Sequence, residues 1–187
     1  MPHTRGVRIH SVGHGARTLE AFLTLLRAAE IETLVDIRTA PYSRRHPHFT
    51  GDALADAVRD AGMSYEHLKG LGGWRKSPPS SPHAALKEPG FRGYADHLTS
   101  ADFARDYATL RTLAESHRVA FMCSESLWWK CHRRVLADRL TADGWEVRHL
   151  VTPGKEPGEH TLWDLARVDP SGLLIYDQGE LALFREV

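Results

Sequence analysis

Apolar and polar residues along this chain of 187 residues follow two alternating patterns, which predict strands and helices in turn. Val7–Val12, Thr33–Ile37 and Val119–Cys123 are short apolar runs, as in the buried strands of a parallel sheet. After Thr18, which suits the capping position of a helix, apolar residues recur every three or four positions. The other predicted strands are Met63–Leu68, Glu146–Val151 and a hairpin of Leu173–Tyr176 with Glu180–Phe184, and the other predicted helices begin at Asp52, near Asp102 and at Cys131, with a short one at Leu162–Ala166.

This alternation predicts an α/β fold, with a mostly parallel sheet of about five strands, helices on both faces and a C-terminal β-hairpin extension. The pattern breaks between Gly70 and Gly93, where pairs of Gly and Pro oppose any long regular element. A chain of 187 residues is long enough for one full hydrophobic core. We therefore expect a single domain over residues 1–187.

Composition narrows the class of protein. Hydrophobic residues make up 42% and charged residues 26% of the chain, as in ordinary globular proteins. No apolar run approaches the roughly 20 residues that span a bilayer, and the first residues do not read as a signal peptide. We therefore expect a cytoplasmic protein without a membrane partner. Two cysteines in such a chain favour buried thiols or chemistry over a disulfide framework.

The formal net charge is zero, but the charges are unevenly distributed. Arg38–His48 holds three Arg and two His without an acid, and Leu127–Arg134 holds three basic residues without an acid. From Glu156 onwards seven acids face two Arg. Basic patches on a neutral protein indicate a phosphate-bearing ligand at one face, although an ordinary solvated surface explains them about equally well.

The ends of the predicted strands carry the candidate chemistry. Open α/β sheets bind ligands beyond the carboxyl ends of their strands, so we expect the polar residues there to share one pocket. These residues are His14, Asp36, Arg38, His67, Cys123, Glu125, Cys131 and His132. Asp36 and Arg38 also fit a structural ion pair with a neighbouring strand, and the turn around His14 also fits a plain connection between strand and helix.

Cys131 is the strongest single candidate. A cysteine at a helix start, beside His and Arg, has a lowered thiol pKa, which favours the nucleophilic and metal-binding thiolate. The alternative is that Cys131 or Cys123 is a small buried apolar residue, and for Cys123 alone we prefer that interpretation. Glu125 beside His132 or His14 fits a general base, or a carboxylate that orients an imidazole.

A second group of residues fits ligand binding. Arg side chains can hold phosphate in a bidentate geometry, and adjacent Trp residues in a loop leave at least one ring available for stacking on a base. The predicted substrate-binding residues are Arg38, Arg44, Tyr42, His67, Trp128, Trp129, Lys130 and Arg133.

Five blocks of the chain carry a family resemblance: Ser11–His14, Leu34–Pro41 with Ser43-Arg44, Tyr65–Gly73, Phe91–Ala95, and Met122-Cys123 through Glu125 to Cys131-His132-Arg133. With them the chain resembles the domain of unknown function family 488, over a core of about residues 9–149, with residues 150–187 as an extension. The resemblance implies a compact α/β domain with a site at those positions. Gly15 and the pair Trp128-Trp129 depart from the family pattern, which has a polar residue and a Pro there.

Three functions remain open from the sequence. The first is an enzyme acting on a nucleotide or nucleic acid, by glycosidic or phosphate-bond hydrolysis, with Glu125, Cys131, His132, His14 and Asp36 as catalytic candidates and no cofactor. The second is thiol-redox chemistry or a Zn²⁺ site using Cys123, Cys131 and His132, with His14 or His67 as a fourth ligand. The third is a non-catalytic module that binds nucleic acid or protein.

Overall fold

The computed structural model describes residues 7–178. These form a six-stranded sheet and a separate two-stranded hairpin. The strands are β1 (Arg8–Gly13), β2 (Thr33–Asp36), β3 (Ser64–His67), β4 (Val119–Cys123), β5 (Glu146–Leu150), β6 (Gly158–Glu159), β7 (Ala166–Val168) and β8 (Leu174–Tyr176). The helices are α1 (Leu19–Ala28), α2 (Gly51–Asp60), α3 (Pro89–His97), α4 (Ala101–Ser116) and α5 (Arg133–Ala142).

The sheet runs in the order β3-β2-β4-β1-β5-β6, and its first five members are parallel. The short β6 pairs antiparallel with β5 and closes that edge. Because parallel strands point the same way, the loops that follow β1 to β5 all emerge along one edge of the sheet, called here the C-terminal rim. The α/β prediction and the parallel sheet of about five strands are confirmed.

Each face of the sheet has its own hydrophobic core, because successive side chains of a strand point to opposite faces. Phe121 and Cys123 of β4 belong to the core that contains side chains of α3, α4 and α5. Met122, between them, belongs to the other core, which contains side chains of α1 and α2. Residues at the C-terminal rim therefore belong to one face or the other.

Most predicted elements agree with the structure to within one or two residues at each end. Thr18 caps α1 with its side chain, as its position predicts. None of the helices within residues 7–178 is both long enough and apolar enough to cross a membrane.

Helix α3 lies partly inside the stretch that the sequence predicts to be a loop. Gly93 reads as a helix breaker, but a Cβ there would lie 2.1 Å from the carbonyl oxygen of Arg75. The glycine therefore serves a close approach between helix and loop rather than a turn. Pro89 fits the first turn of α3, where its missing N–H has no helical partner to lose.

The short helix predicted at Leu162–Ala166 is wrong. Its apolar side chains pack against the core of α3, α4 and α5, and the chain then enters β7, which pairs with β8. The predicted hairpin partner of β8, Glu180–Phe184, lies outside the described residues. The C-terminal hairpin that the structure contains is formed by β7 and β8.

Candidate functional site

Two thiols and an imidazole meet at the C-terminal rim. Cys123 is the last residue of β4, and Cys131 and His132 directly precede α5. The Nδ1 atom of His132 lies 3.5 Å from Cys131 Sγ and 3.9 Å from Cys123 Sγ. Donor atoms of all three side chains lie within 4.8 Å of one another. We call these three residues the thiol centre.

The loop between the two cysteines folds back on itself and so brings them together. Its last three residues, Trp128–Lys130, form one turn of 3-10 helix, held by backbone hydrogen bonds from Lys130 to Leu127 and from Cys131 to Trp128. Helix α5 then begins beside the end of β4. Cys131 is consequently placed before the N-terminal turn of a helix, where free N–H groups favour a negative charge.

The two thiols have opposite pKa shifts. Burial alone would raise the pKa of Cys131, but a hydrogen bond from Cys123 and the charge and N–H of Arg133 outweigh it and lower this pKa to about 6. The hydrogen bond to Cys131, together with burial, raises the pKa of Cys123 to about 12. The two shifts favour a thiolate on Cys131 and keep the proton on Cys123.

Arg133 supplies the positive charge of this site from within the core. Its backbone N–H donates to Cys131 Sγ at 3.5 Å, and its buried guanidinium donates to Ser11 Oγ and to the carbonyl oxygens of Glu125 and Ser126. Within residues 7–178 this guanidinium has no carboxylate partner. A buried charge without a counter-charge is costly, and the charge of Arg133 favours the Cys131 thiolate.

A loop segment covers the imidazole of the thiol centre. A Cβ at Gly73 would lie 2.8 Å from His132 Nδ1, so this glycine lets the backbone pass directly over the ring. The Thr39 hydroxyl holds the segment by donating to the carbonyl oxygen of Gly73 at 2.8 Å. The ring of Tyr94 packs 4.9 Å from that of His132. Both sulfurs are thereby nearly removed from solvent, with 7% exposure for Cys123 and 5% for Cys131.

A second polar group lies on the other face of the rim. Arg38 forms a bidentate ion pair with Asp36, with its Nη2 2.6 Å from Asp36 Oδ2, and also donates to the carbonyl oxygen of Phe49. Tyr65 donates to the same carboxylate at 2.7 Å. His14 stacks on Phe49, which belongs to the core of α1 and α2, and burial lowers the pKa of this imidazole to about 4. The opposite charges of Asp36 and Arg38 thus compensate each other inside the protein.

The structure therefore divides the candidates that the sequence places in one pocket. Cys123, Cys131 and His132 meet, with Arg133 beside them, whereas His14, Asp36 and Arg38 form the separate group. His67 is exposed and contacts the carbonyl oxygen of Arg38. Neither imidazole proposed as a fourth zinc ligand belongs to the group of donor atoms found within residues 7–178.

The candidates in the loop after β4 also separate. Glu125 is exposed and its carboxylate accepts the N–H of Leu127, a contact within its own loop. Trp128 is half-buried and stacks on His149 at 3.9 Å. The remaining substrate-binding candidates are exposed at the rim: Tyr42, Arg44, Trp129 and Lys130.

Sequence reasoning missed a buried chain of hydrogen bonds next to the thiol centre. His149 contacts His160 at 3.0 Å, and His160 contacts Asp138 at 2.8 Å. Tyr176 donates to the other oxygen of Asp138. The only signal in the sequence was an aspartate among the apolar positions of α5. This network ties the segment after β5 to the helix that carries Arg133.

Comparison with known proteins gives one result. The model of the family described as "Domain of unknown function DUF488" matches residues 18–140. The match contains the whole thiol centre and Arg133, and it is shorter at both ends than the core expected from the sequence. No curated protein and no solved structure matches the chain.

Proposed function

The chain belongs to the DUF488 family, a domain of unknown function, and from that premise we propose that it is a thiol-redox protein. In this proposal Cys131 and Cys123 alternate between a dithiol and a disulfide. The observation that carries it is a pair of thiols held within 4.8 Å of each other, one with a lowered and one with a raised pKa. A nucleophilic thiolate next to a protonated resolving thiol is the arrangement that reversible oxidation requires.

The burial of the two cysteines limits the size of the oxidant that can reach them. Both cysteines are more than nine-tenths buried, so a protein disulfide cannot reach them directly, whereas a small molecule needs only a local opening of the cover. A hydroperoxide fits this requirement. The Cys131 thiolate attacks one peroxide oxygen, the S–O bond forms as the O–O bond breaks, and the leaving alkoxide or hydroxide takes up a proton.

The second step joins the two sulfurs. Cys123 attacks the sulfenic sulfur of Cys131, so that the S–S bond forms while the S–O bond breaks and hydroxide leaves. The proton lost by Cys123 converts this hydroxide to water, and His132 Nδ1 is placed to carry it because it contacts both sulfurs. Two molecules of a small thiol reductant then restore the dithiol and become a disulfide themselves.

The other interpretations of the sequence stay predictions. Hydrolysis of a nucleotide or nucleic acid draws less support from the geometry, because the charges of Arg38 and Arg133 are engaged inside the protein and Glu125 contacts no imidazole. A Zn²⁺ ion would find three donors in the thiol centre, which is one fewer than a closed structural site uses. The binding-module interpretation leaves the paired thiols unexplained.

The test is peroxide consumption in the presence of a small dithiol reductant. The wild-type protein is expected to turn over, and Cys131→Ser to lose turnover completely. Cys123→Ser is expected to stop at a sulfenic acid on Cys131, which a dimedone probe traps. Ser116→Ala, an exposed position on α4, is the matched control and should behave as wild type.

Two outcomes would overturn the proposal. One is full peroxide consumption by Cys131→Ser. The other is purified protein that holds one equivalent of zinc through both cysteines and resists peroxide, since the thiol centre would then be a metal site.

A further inference from the structure

Exposed aromatic rings are confined to one place on the described surface. Within residues 7–178, the exposed Phe, Tyr and Trp side chains are Tyr42, Trp74 and Trp129, with 68%, 95% and 41% exposure. They lie in the loops that follow β2, β3 and β4, which are neighbours in the sheet. Apolar residues scattered singly over a surface would not place three aromatic rings in neighbouring loops of one rim.

Trp74 has a backbone conformation that requires an explanation. Its φ is 60°, in the left-handed region that large side chains rarely adopt, and the residue is almost fully exposed. No burial of the ring offsets this strain. The preceding Gly73 is pinned over His132, so the chain turns outward at Trp74 and presents the indole to solvent. Strain of this kind is found at binding sites more often than elsewhere.

The charge of the same loops is strongly biased. These loops, residues 37–50, 68–88 and 124–132, hold eight Lys or Arg and two acids, Glu88 and Glu125, in a protein whose net charge is zero. One of the eight, Arg38, is buried and paired with Asp36. At the opposite edge of the sheet, a groove of about 960 Å³ is lined by five Glu against three Lys or Arg. Basic charge is therefore concentrated on the aromatic side.

We propose that the C-terminal rim binds single-stranded nucleic acid, with Tyr42, Trp74 and Trp129 as stacking platforms and the surrounding Lys and Arg along the phosphates. Rings for unpaired bases and cations for the backbone are the two elements by which proteins hold single strands. A duplex hides its bases from such rings. The proposal stands on exposed residues outside the thiol centre and does not depend on the redox chemistry.

The test measures fluorescence anisotropy of a labelled oligodeoxythymidylate of about 20 nucleotides, a length that exceeds common site sizes. Wild-type protein is expected to bind it more tightly than the same sequence in a duplex. The affinity should fall steeply between about 50 and 200 mM salt, because phosphate contacts release counterions. Trp74→Ala and Trp129→Ala are each expected to weaken binding at least about fivefold, as loss of one stacked base does.

Two double variants distinguish binding at the rim from general electrostatic attraction to the protein. Arg44→Ala with Arg45→Ala removes two exposed charges at the rim, and Arg27→Ala with Arg118→Ala removes two exposed charges at the opposite edge. Only the first pair should weaken binding. Absence of binding, equal loss in both pairs, or unchanged binding by both tryptophan variants would overturn the proposal. None of these results bears on peroxide turnover, so the two proposals fail separately.

Discussion

The backbone N–H of Arg133 donates to the sulfur of Cys131 at 3.5 Å, and the guanidinium of the same residue is buried without a carboxylate partner within residues 7–178. The charge and the backbone N–H of Arg133 both lower the pKa of Cys131 and so favour its thiolate. Ser11 and two carbonyl oxygens orient the guanidinium, but they carry no full negative charge. This pairing distinguishes the centre from two cysteines that only fill space.

Removing the cation should raise the thiol pKa. In Arg133→Met the Cys131 thiolate loses its neighbouring charge, so its pKa should move from about 6 towards the ordinary cysteine value. The rate of alkylation by iodoacetamide as a function of pH measures this. Arg134→Met is the control, because that guanidinium stacks on Trp163, 3.3 Å from the ring centroid, and should leave the profile unchanged. An unchanged profile in Arg133→Met would contradict the pairing.

Stability should depend on pH through Cys131. Its folded pKa of about 6 lies below the unfolded value of 9.0, so the unfolded chain binds more protons between these values. The contribution is fully present above about pH 9 and is lost as the pH falls towards 6. Urea unfolding of wild type and Cys131→Ser between these limits measures it. We expect the stability advantage of the wild type to shrink on acidification, and a constant difference would argue against a thiolate.

A methyl group added at Gly73 should disturb the loop segment that covers His132. Gly73→Ala places a Cβ 2.8 Å from His132 Nδ1, so either the ring or the loop must move. The thiols should then react faster with a bulky disulfide reagent than in the wild type. Gly90→Ala is the control, because a Cβ there meets no atom within 4 Å. Equal reaction rates for the wild type and Gly73→Ala would show that the segment does not shield the sulfurs.

Removal of the Asp138 carboxylate should be costly. It is fully buried and accepts hydrogen bonds from His160, Tyr176 and the backbone of Trp163, so Asp138→Ala leaves several buried groups without partners. We expect a loss of about 3–5 kcal/mol in the free energy of unfolding, measured with urea. Asp52→Ala, at an exposed position in α2, should change it little. If Asp138→Ala lost no more stability than Asp52→Ala, the hydrogen bonds to Asp138 would contribute nothing to the free energy of unfolding.

The sequence predicts the fold well because its elements are short, regular and bounded by clear capping residues. Thr18 and Val119–Cys123 mark their elements as the structure has them. The sequence also predicts that the two cysteines lie at one rim, since Cys123 ends a strand and Cys131 precedes a helix. These are local properties, which residue type and spacing specify directly.

The sequence does not predict that the polar residues of the rim divide into two groups. A shift of one residue in a strand exchanges the faces of all its side chains, so a pattern that tolerates such shifts does not assign Asp36 and Cys123 to opposite faces. The burial of Arg133 was missed because it stands in a basic run beside Arg134 and the sequence predicts that it binds phosphate. Its role depends on how α5 docks against the sheet, which is a tertiary property.

The mass of the oxidised protein shows whether Cys123 and Cys131 form a reversible disulfide. After one equivalent of hydrogen peroxide, the intact wild-type protein should lose the mass of two hydrogens, and proteolysis should give one cross-linked species containing both cysteines. A small dithiol should reverse the change. A protein that instead keeps its mass, or gains oxygen on a sulfur without cross-linking, would contradict the account.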